Sequence, residues 1–141
     1  MNLSLAHSRT IIAGALAAAN TAKMKPLTIV VLDAGGHVLA AEREDGSSNK
    51  RFDVAYGKAH GAVSLGVGSR ALMTRAEQQP SFIAAVTHSV GALVPVPGGV
   101  LIKDTDGTLL GAVGVSGDTS DNDEEAALAG VTSIGLMADA G

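Results

Sequence analysis

Residues 27–43, LTIVVLDAGGHVLAAER, carry the clearest fold information in the chain. The first seven residues are apolar on both faces and rich in β-branched side chains, which is typical of a central strand covered on both sides. The pair Gly35-Gly36 can adopt the positive φ values of a tight hairpin turn. The returning segment alternates and puts His37 and Arg43 on one face. This stretch therefore predicts a β-hairpin inside a covered sheet.

Outside the hairpin, the apolar pattern predicts the element order α-β-β-α-α-β-β-α. This order indicates an α/β (α+β) fold with one central antiparallel sheet of about five strands and helices packed on its faces. The predicted helices cover residues 3–23, with Asn2 or Ser4 as the cap, from a cap at Ser48 or Asn49 to about 65, and 69–78, followed by one or two helical turns within 81–89. The predicted strands cover 100–103 and 108–116. The last helix is capped by Ser120, with Asp123 in a capping box, and its inner apolar stripe extends to Met137.

The 141 residues fit a single domain over 1–141, without repeats or a linker. The chain has no cysteine, which excludes disulfides, thiolate metal sites and cysteine nucleophiles. No apolar run approaches the roughly 20 residues of a membrane span. The first residues lack a basic segment followed by an apolar core, so we expect no membrane partner and a cytoplasmic location.

Charge and aromatic content argue against nucleic acid as a partner. The net charge is −4, and the chain contains no Trp, one Tyr and two Phe. Nucleic-acid binding requires a basic surface and benefits from stacking aromatics, and neither is present. The hydrophobic fraction of 46% in a chain rich in small side chains predicts that part of the surface is buried in a homo-oligomer.

Several motifs, taken in chain order, resemble those of the GlcG/HbpS-like family of haem-binding and PduO C-terminal-like domains. The resemblance implies a profilin-like α/β fold, usually oligomeric. It also implies varied roles, which include haem binding, association with cobalamin adenosyltransferase domains, and association with glycolate or aromatic catabolism. The motifs are the strand–Asp-x-x-Gly–strand hairpin at 29–39, Arg-Glu-Asp-Gly at 43–46 where the family usually has Met second, the Lys-Ala helix centred on 58–59, Pro-Gly-Gly at 97–99, and the Gly-rich strand at 111–117 before the last helix.

The candidate ligand-binding residues are Arg43, Asp45, Lys58, Gly98 and Gly99. Arg43 leaves a strand towards a loop and Lys58 follows on the next helix, so both cations could reach one pocket rim. The glycines can present backbone N–H groups to the same anion. Either a small carboxylate or a haem propionate would suit this Arg/Lys-lined pocket. The alternative is that both cations are exposed surface charges.

Histidines supply the remaining candidates. Haem needs an axial ligand, usually His, and His7 on the first helix and His60 on the second are the candidates. His37, His60 and Lys58 are the candidate catalytic groups for proton transfer. A surface or solvated position is the alternative for each. No two histidines have clear metal-ligand spacing, so no metal site apart from haem iron is predicted.

Three functions remain open from the sequence. The first is a small-ligand-binding protein that holds haem, or otherwise a small carboxylate without a cofactor. The second is a cofactor-free isomerase or lyase that acts on a small organic acid or an aromatic catabolite. The third is a non-catalytic interaction module of a catabolic assembly. The residues do not identify the ligand, the size of the oligomer, or the histidine that would bind iron.

Overall fold

A five-stranded antiparallel sheet lies at the centre of the computed structural model, which describes residues 1–141. The strands are β1 (Thr28–Asp33), β2 (Val38–Arg43), β3 (Gly99–Lys103), β4 (Leu109–Ser116) and β5 (Met137–Asp139). Their spatial order is β2-β1-β4-β3-β5. Thr28 pairs with Ser116 at one end of the central β1–β4 ladder, and Asp33 pairs with Gly111 at the other end.

Five helices surround this sheet. One face is covered by α1 (Leu5–Thr21) and α5 (Ser120–Thr132), and the other by α2 (Arg51–Leu65). Beside α2 pack α3 (Ser69–Gln78) and α4 (Pro80–Val90). Ile29 and Val31 of β1 pack in the same cluster as α1 and α5, whereas Val30 and Leu32 face α2. All four side chains are fully buried, as the two-sided apolar pattern of this strand requires. The predicted α/β (α+β) fold is therefore confirmed.

Glycines allow the helices to approach their neighbours closely. A Cβ added at Gly114 of β4 would overlap the Ala55 carbonyl oxygen of α2. A Cβ at Gly130 of α5 would meet the Ile11 carbonyl oxygen of α1. Because neither glycine carries a side chain, α2 lies directly on β4 and α5 lies directly on α1. This approach brings the middle of α2 against the backbone of β4.

Two predicted helix caps are wrong. The N-cap of α5 is Thr119, whose hydroxyl accepts a hydrogen bond from the Asn122 N–H, and not Ser120. Asp123 forms no capping box, because its carboxylate points into the core. The N-cap of α2 is Lys50, which makes no side-chain capping bond. A cap is set by which backbone N–H groups a side chain can reach, and neighbouring polar residues compete for that position.

The structure adds one strand and one longer helix to the predicted elements. β5 pairs with β3, with Ala138 opposite Ile102, whereas its region had been expected to extend the last helix. α4 runs over eleven residues and begins with Pro80, where the sequence indicated one or two turns. Proline suits the first turn of a helix because that N–H has no intrahelical acceptor. No helix is both long enough and apolar enough to cross a bilayer.

Candidate functional site

The turn between β1 and β2 holds an acid–base pair, Asp33 and His37. One carboxylate oxygen of Asp33 accepts hydrogen bonds from the backbone N–H groups of Gly35 and His37, both at 2.9 Å. Gly36 has a φ of 83°, which glycine adopts without a steric penalty, while Gly35 does not need the positive φ predicted for both. The His37 ring Nδ1 lies 3.1 Å and 3.2 Å from the two oxygens of Asp33. The turn therefore fixes the imidazole against its carboxylate.

The carboxyl group of Asp33 is held in its ionised form. Partial burial raises the pKa of Asp33. The hydrogen bonds from the backbone of His37 and Gly35, together with the contact with the imidazole, lower it by more, so the pKa lies below its usual value of 3.8. An ionised carboxylate can only accept hydrogen bonds. The ring nitrogen that faces it must then carry a proton.

A cavity of about 420 Å³ opens beside this pair. It lies between the segment that precedes α1, the β1–β2 turn and the start of β4. Its volume falls within the range of roughly 300–1,000 Å³ that is usual for small-molecule sites. Its walls combine apolar side chains with the acid–base pair, and the lining residues are Met1, Asn2, Leu3, Asp33, Ala34, Gly35, His37, Leu109 and Leu110. This is the one cavity of the structure.

Lys58 forms a second, buried acid–base pair. Its ammonium donates to the Val115 carbonyl at 2.9 Å and to the Asp123 carboxylate at 3.0 Å. The side chains of Lys58 and Asp123 are only 2% and 1% exposed. The other Asp123 oxygen accepts from the Asp118 N–H. Burial lowers the pKa of Lys58 and raises the pKa of Asp123, and their mutual attraction opposes both shifts.

The two predicted ligand-binding glycines, Gly98 and Gly99, pack against Lys58. A Cβ at Gly98 would lie 2.8 Å from the Lys58 ammonium, and a Cβ at Gly99 would overlap the Lys58 carbonyl. The Gly99 N–H donates to the buried hydroxyl of Ser69 at 2.7 Å. The structure thus brings Lys58, Gly98 and Gly99 together, but around an internal carboxylate and not around open space.

The other two predicted ligand-binding residues lie in the loop after β2. The Arg43 guanidinium donates to the Ser47 carbonyl at 2.6 Å, which ties this side chain to its own loop. Asp45 is exposed in the same loop. Neither these two residues nor Lys58 lines the cavity. Their contact with a ligand stays a prediction.

His7 and His60 are both engaged in local contacts. The His7 Nδ1 accepts the Ser4 N–H at 3.1 Å, in a reciprocal capping box at the start of α1. The His60 Nδ1 lies 2.9 Å from the Ala92 carbonyl oxygen, and its ring stacks on Tyr56 with centroids 5.1 Å apart. His60 is half-buried and hydrogen-bonded, so it does not occupy the solvated position that was its alternative.

The sequence interpretation missed Asp33 and Asp123 as the partners of its candidate residues. The sequence around Asp33 did indicate this contact, because an Asp at the end of a strand and a His four positions later can approach each other across a turn that contains two glycines. Asp123 had no such sign, since 65 residues separate it from Lys58. The leucines that line the cavity also carried no indication beyond their places in a predicted helix or strand.

These features define a class of α+β domain, in which a five-stranded antiparallel sheet carries helices on both faces and a cavity lies at one end of the central hairpin. The chain belongs to the HbpS-like family, since the family model described as haem degrading protein HbpS-like matches residues 3–132. No curated protein matches the chain at a significant level.

Solved structures of similar proteins share the fold. HbpS from Streptomyces reticuli, solved as a double mutant, is 26% identical, with 96% of this chain and 88% of that chain covered and a TM-score of 0.83. PduOC, solved as a complex with haem, is 23% identical, with coverages of 97% and 98% and a TM-score of 0.86. The Klebsiella pneumoniae protein ORFY is 25% identical, with coverages of 91% and 87% and a TM-score of 0.78.

Proposed function

We propose that this protein binds a small ligand, with haem as the first candidate, in the cavity beside the β1–β2 turn. The observation that carries the proposal is the composition of this cavity, which joins apolar walls to a carboxylate-held imidazole. The family description as haem degrading and the structure of PduOC with haem support the choice of ligand. Haem-binding sites combine an apolar slot with an axial ligand, usually His.

The residues of the cavity fit haem in chemical type. Leu3, Leu109 and Leu110 supply apolar surface for a porphyrin, and His37 supplies an imidazole. When bound, haem would supply an iron centre for ligand binding or electron transfer. No Lys or Arg lines the cavity, so solvent would satisfy the charged groups of the ligand. This arrangement favours a ligand held mainly by apolar contact and one imidazole.

A large side chain that fills the cavity from an exposed position tests this proposal and leaves the core unchanged. Ala34 lines the cavity and is exposed, so Ala34→Trp should fill it at small cost to folding. Ala84→Trp, at an exposed position of α4 outside the cavity, is the matched control. In a visible-absorption titration with haemin, wild type and Ala84→Trp should give the same saturable Soret change.

Ala34→Trp should weaken haemin binding at least about tenfold, which corresponds to about 1.4 kcal/mol. The absence of saturable binding by wild type would remove haem as the ligand. Equal binding by wild type and Ala34→Trp would place the ligand elsewhere on the protein. Melting temperatures of both tryptophan variants would show that any change does not come from unfolding.

The contact between Asp33 and His37 also favours a second candidate function, a cofactor-free isomerase or lyase. A carboxylate that holds one ring nitrogen of a histidine leaves the other nitrogen able to remove a proton. His37 would be the general base for a small organic acid. Exchange of substrate protons for deuterium, followed by NMR across a set of small carboxylic acids, should then occur with wild type and be absent with His37→Ala.

A further inference from the structure

We propose that His37, through its Nε2 atom, is the residue that binds the haem iron, and that Asp33 is its positioning residue. This inference rests on the proposed function and deepens it. It departs from the sequence interpretation, which gave His7 and His60 as the axial candidates. A neutral histidine can bind a metal only through a ring nitrogen that carries a lone pair and has room beside it. The four histidines of the chain differ in whether they meet these two conditions.

His37 meets both conditions. The Asp33 carboxylate accepts from Nδ1, so the ring proton lies on Nδ1 and the lone pair lies on Nε2. The His37 side chain is 80% exposed and lines the cavity. Metal-binding histidines commonly donate their other ring N–H to a carboxylate, which fixes the tautomer and the direction of the ring. The β1–β2 turn provides this arrangement before any ligand binds.

His7 fails the lone-pair condition. Its Nδ1 accepts a backbone N–H from Ser4, so in the neutral ring the proton lies on Nε2, which then has no lone pair for iron. Ligation by Nε2 would require the tautomer to change and the reciprocal capping box of α1 to break. Such a capping interaction stabilises the start of a helix. His7 also does not line the cavity.

His60 meets the lone-pair condition and fails the space condition. Its Nδ1–H donates to the Ala92 carbonyl, which leaves the lone pair on Nε2. The hairpin backbone covers that side of the ring, since a Cβ at Gly36 would lie 3.5 Å from Nε2 and 3.3 Å from Cδ2. Tyr56 covers one ring face. The turn and Tyr56 therefore leave less room beside this nitrogen than His37 has. His88, in the last turn of α4, is exposed and lies outside the cavity.

The Asp33 contact has a consequence for the iron. A carboxylate that accepts the Nδ1–H raises the electron donation of the imidazole. Stronger donation stabilises ferric over ferrous iron and lowers the reduction potential. Asp33→Asn keeps an oxygen for the backbone bonds of the turn and removes the negative charge. We therefore expect this variant to raise the reduction potential of the bound haem, an effect that a purely structural role of Asp33 would not produce.

The experiment compares haem-loaded wild type with His37→Ala, His7→Ala, His60→Ala and the control His88→Ala by electron paramagnetic resonance and visible absorption. His37→Ala should change the ferric spectra and weaken haemin binding at least tenfold, and added imidazole should restore the wild-type spectra. His88→Ala should match wild type. Spectroelectrochemistry of Asp33→Asn should give a higher potential than wild type.

The outcomes separate this inference from the proposed function. If wild type shows no saturable haemin binding, both are overturned. If His37→Ala keeps the wild-type affinity and spectra, haem binding stands and His37 is not the ligand. If His7→Ala or His60→Ala loses the spectra that His37→Ala retains, that histidine is the ligand instead. An unchanged potential in Asp33→Asn would overturn the role of Asp33.

Discussion

Two acid–base pairs lie at opposite ends of β1, and they differ most in exposure. The side chains of Lys58 and Asp123 are 2% and 1% exposed, whereas those of His37 and Asp33 are 80% and 35% exposed. Asp33 ends β1, and Val115, which accepts the Lys58 hydrogen bond, pairs with Ile29 near its start. The two levels are four residue steps apart along the strand, which is about 13 Å.

The difference in exposure separates a pair that serves the fold from a pair that is open to a ligand. The Lys58 ammonium donates its hydrogen bonds to Val115 and Asp123. The backbone at Gly98 and Gly99 packs directly against this side chain and its own backbone, so the ammonium is closed off from solvent. His37 uses Nδ1 for the contact with Asp33, and its side chain is 80% exposed and lines the cavity. Four predictions test this contrast.

The largest expected effect comes from Asp123→Ala. This change leaves the Lys58 ammonium buried without a counter-charge, and such losses cost about 3–5 kcal/mol. Urea unfolding at pH 7 should show a destabilisation of that size. Asp121→Ala, which removes an exposed acid in the same turn of α5 that contacts Arg70, should cost less than about 1 kcal/mol.

The double variant Lys58→Met, Asp123→Leu refines the first prediction. It should be more stable than Asp123→Ala, because two apolar side chains do not need compensation inside the core. If Asp123→Ala unfolds at the same urea concentration as wild type, the buried pair does not support the fold and the contrast with the exposed pair fails.

Gly99→Ala should produce the next largest effect. The added Cβ would meet the Lys58 carbonyl, and contacts between backbone groups cannot relax as a flexible side chain can, so a loss of about 3 kcal/mol is expected. Gly66→Ala is the matched control, since its site has open space and only a φ of 74° to oppose the change, at about 1 kcal/mol. Thermal unfolding without any ligand checks both values. Equal losses would show that steric overlap around Lys58 does not matter.

At the exposed pair, His37→Ala should cost less than about 1 kcal/mol of folding free energy, because exposed ion pairs contribute little. The same variant should lose the haem spectra described above. Urea unfolding of the ligand-free protein measures the first quantity. A loss above about 2 kcal/mol would mean that His37 holds the turn together, and would remove the distinction between the two pairs.

The smallest expected effect is a loss of folding stability at acidic pH. The pKa of Asp33 in the folded protein lies below its usual value of 3.8, so its contribution to stability is fully present above about pH 4 and is lost as the pH falls through the folded pKa. Asp33→Asn has no such titration. The stability advantage of wild type over Asp33→Asn should therefore shrink between pH 5 and pH 2. A constant difference over this range would contradict the assignment.

The sequence predicted those features that depend on local pattern. The two-sided apolar run of β1 and the glycines after it were sufficient for the hairpin. Ser4, one of the two predicted caps, does cap α1, because a cap at the start of an isolated helix depends on near neighbours only. Phe52 shows the limit of this approach, since it fits the apolar stripe of α2 and yet is 38% exposed.

The features that the sequence did not predict depend on contacts between distant segments. β5 has three residues, and it is a strand only because β3 offers it an edge. Three residues are too few to show a period of two. The same reason explains the missed partner of Lys58, because no local rule relates positions 58 and 123.

By itself, the sequence determined that alternating apolar segments would build an antiparallel sheet with helices on its faces, since side-chain period is a property of the backbone geometry of each segment. Only the tertiary structure decided which charged groups are buried and which are accessible to solvent. Burial depends on what the rest of the chain brings to a position, and it brought β4 and α5 over Lys58 while it left His37 beside a cavity.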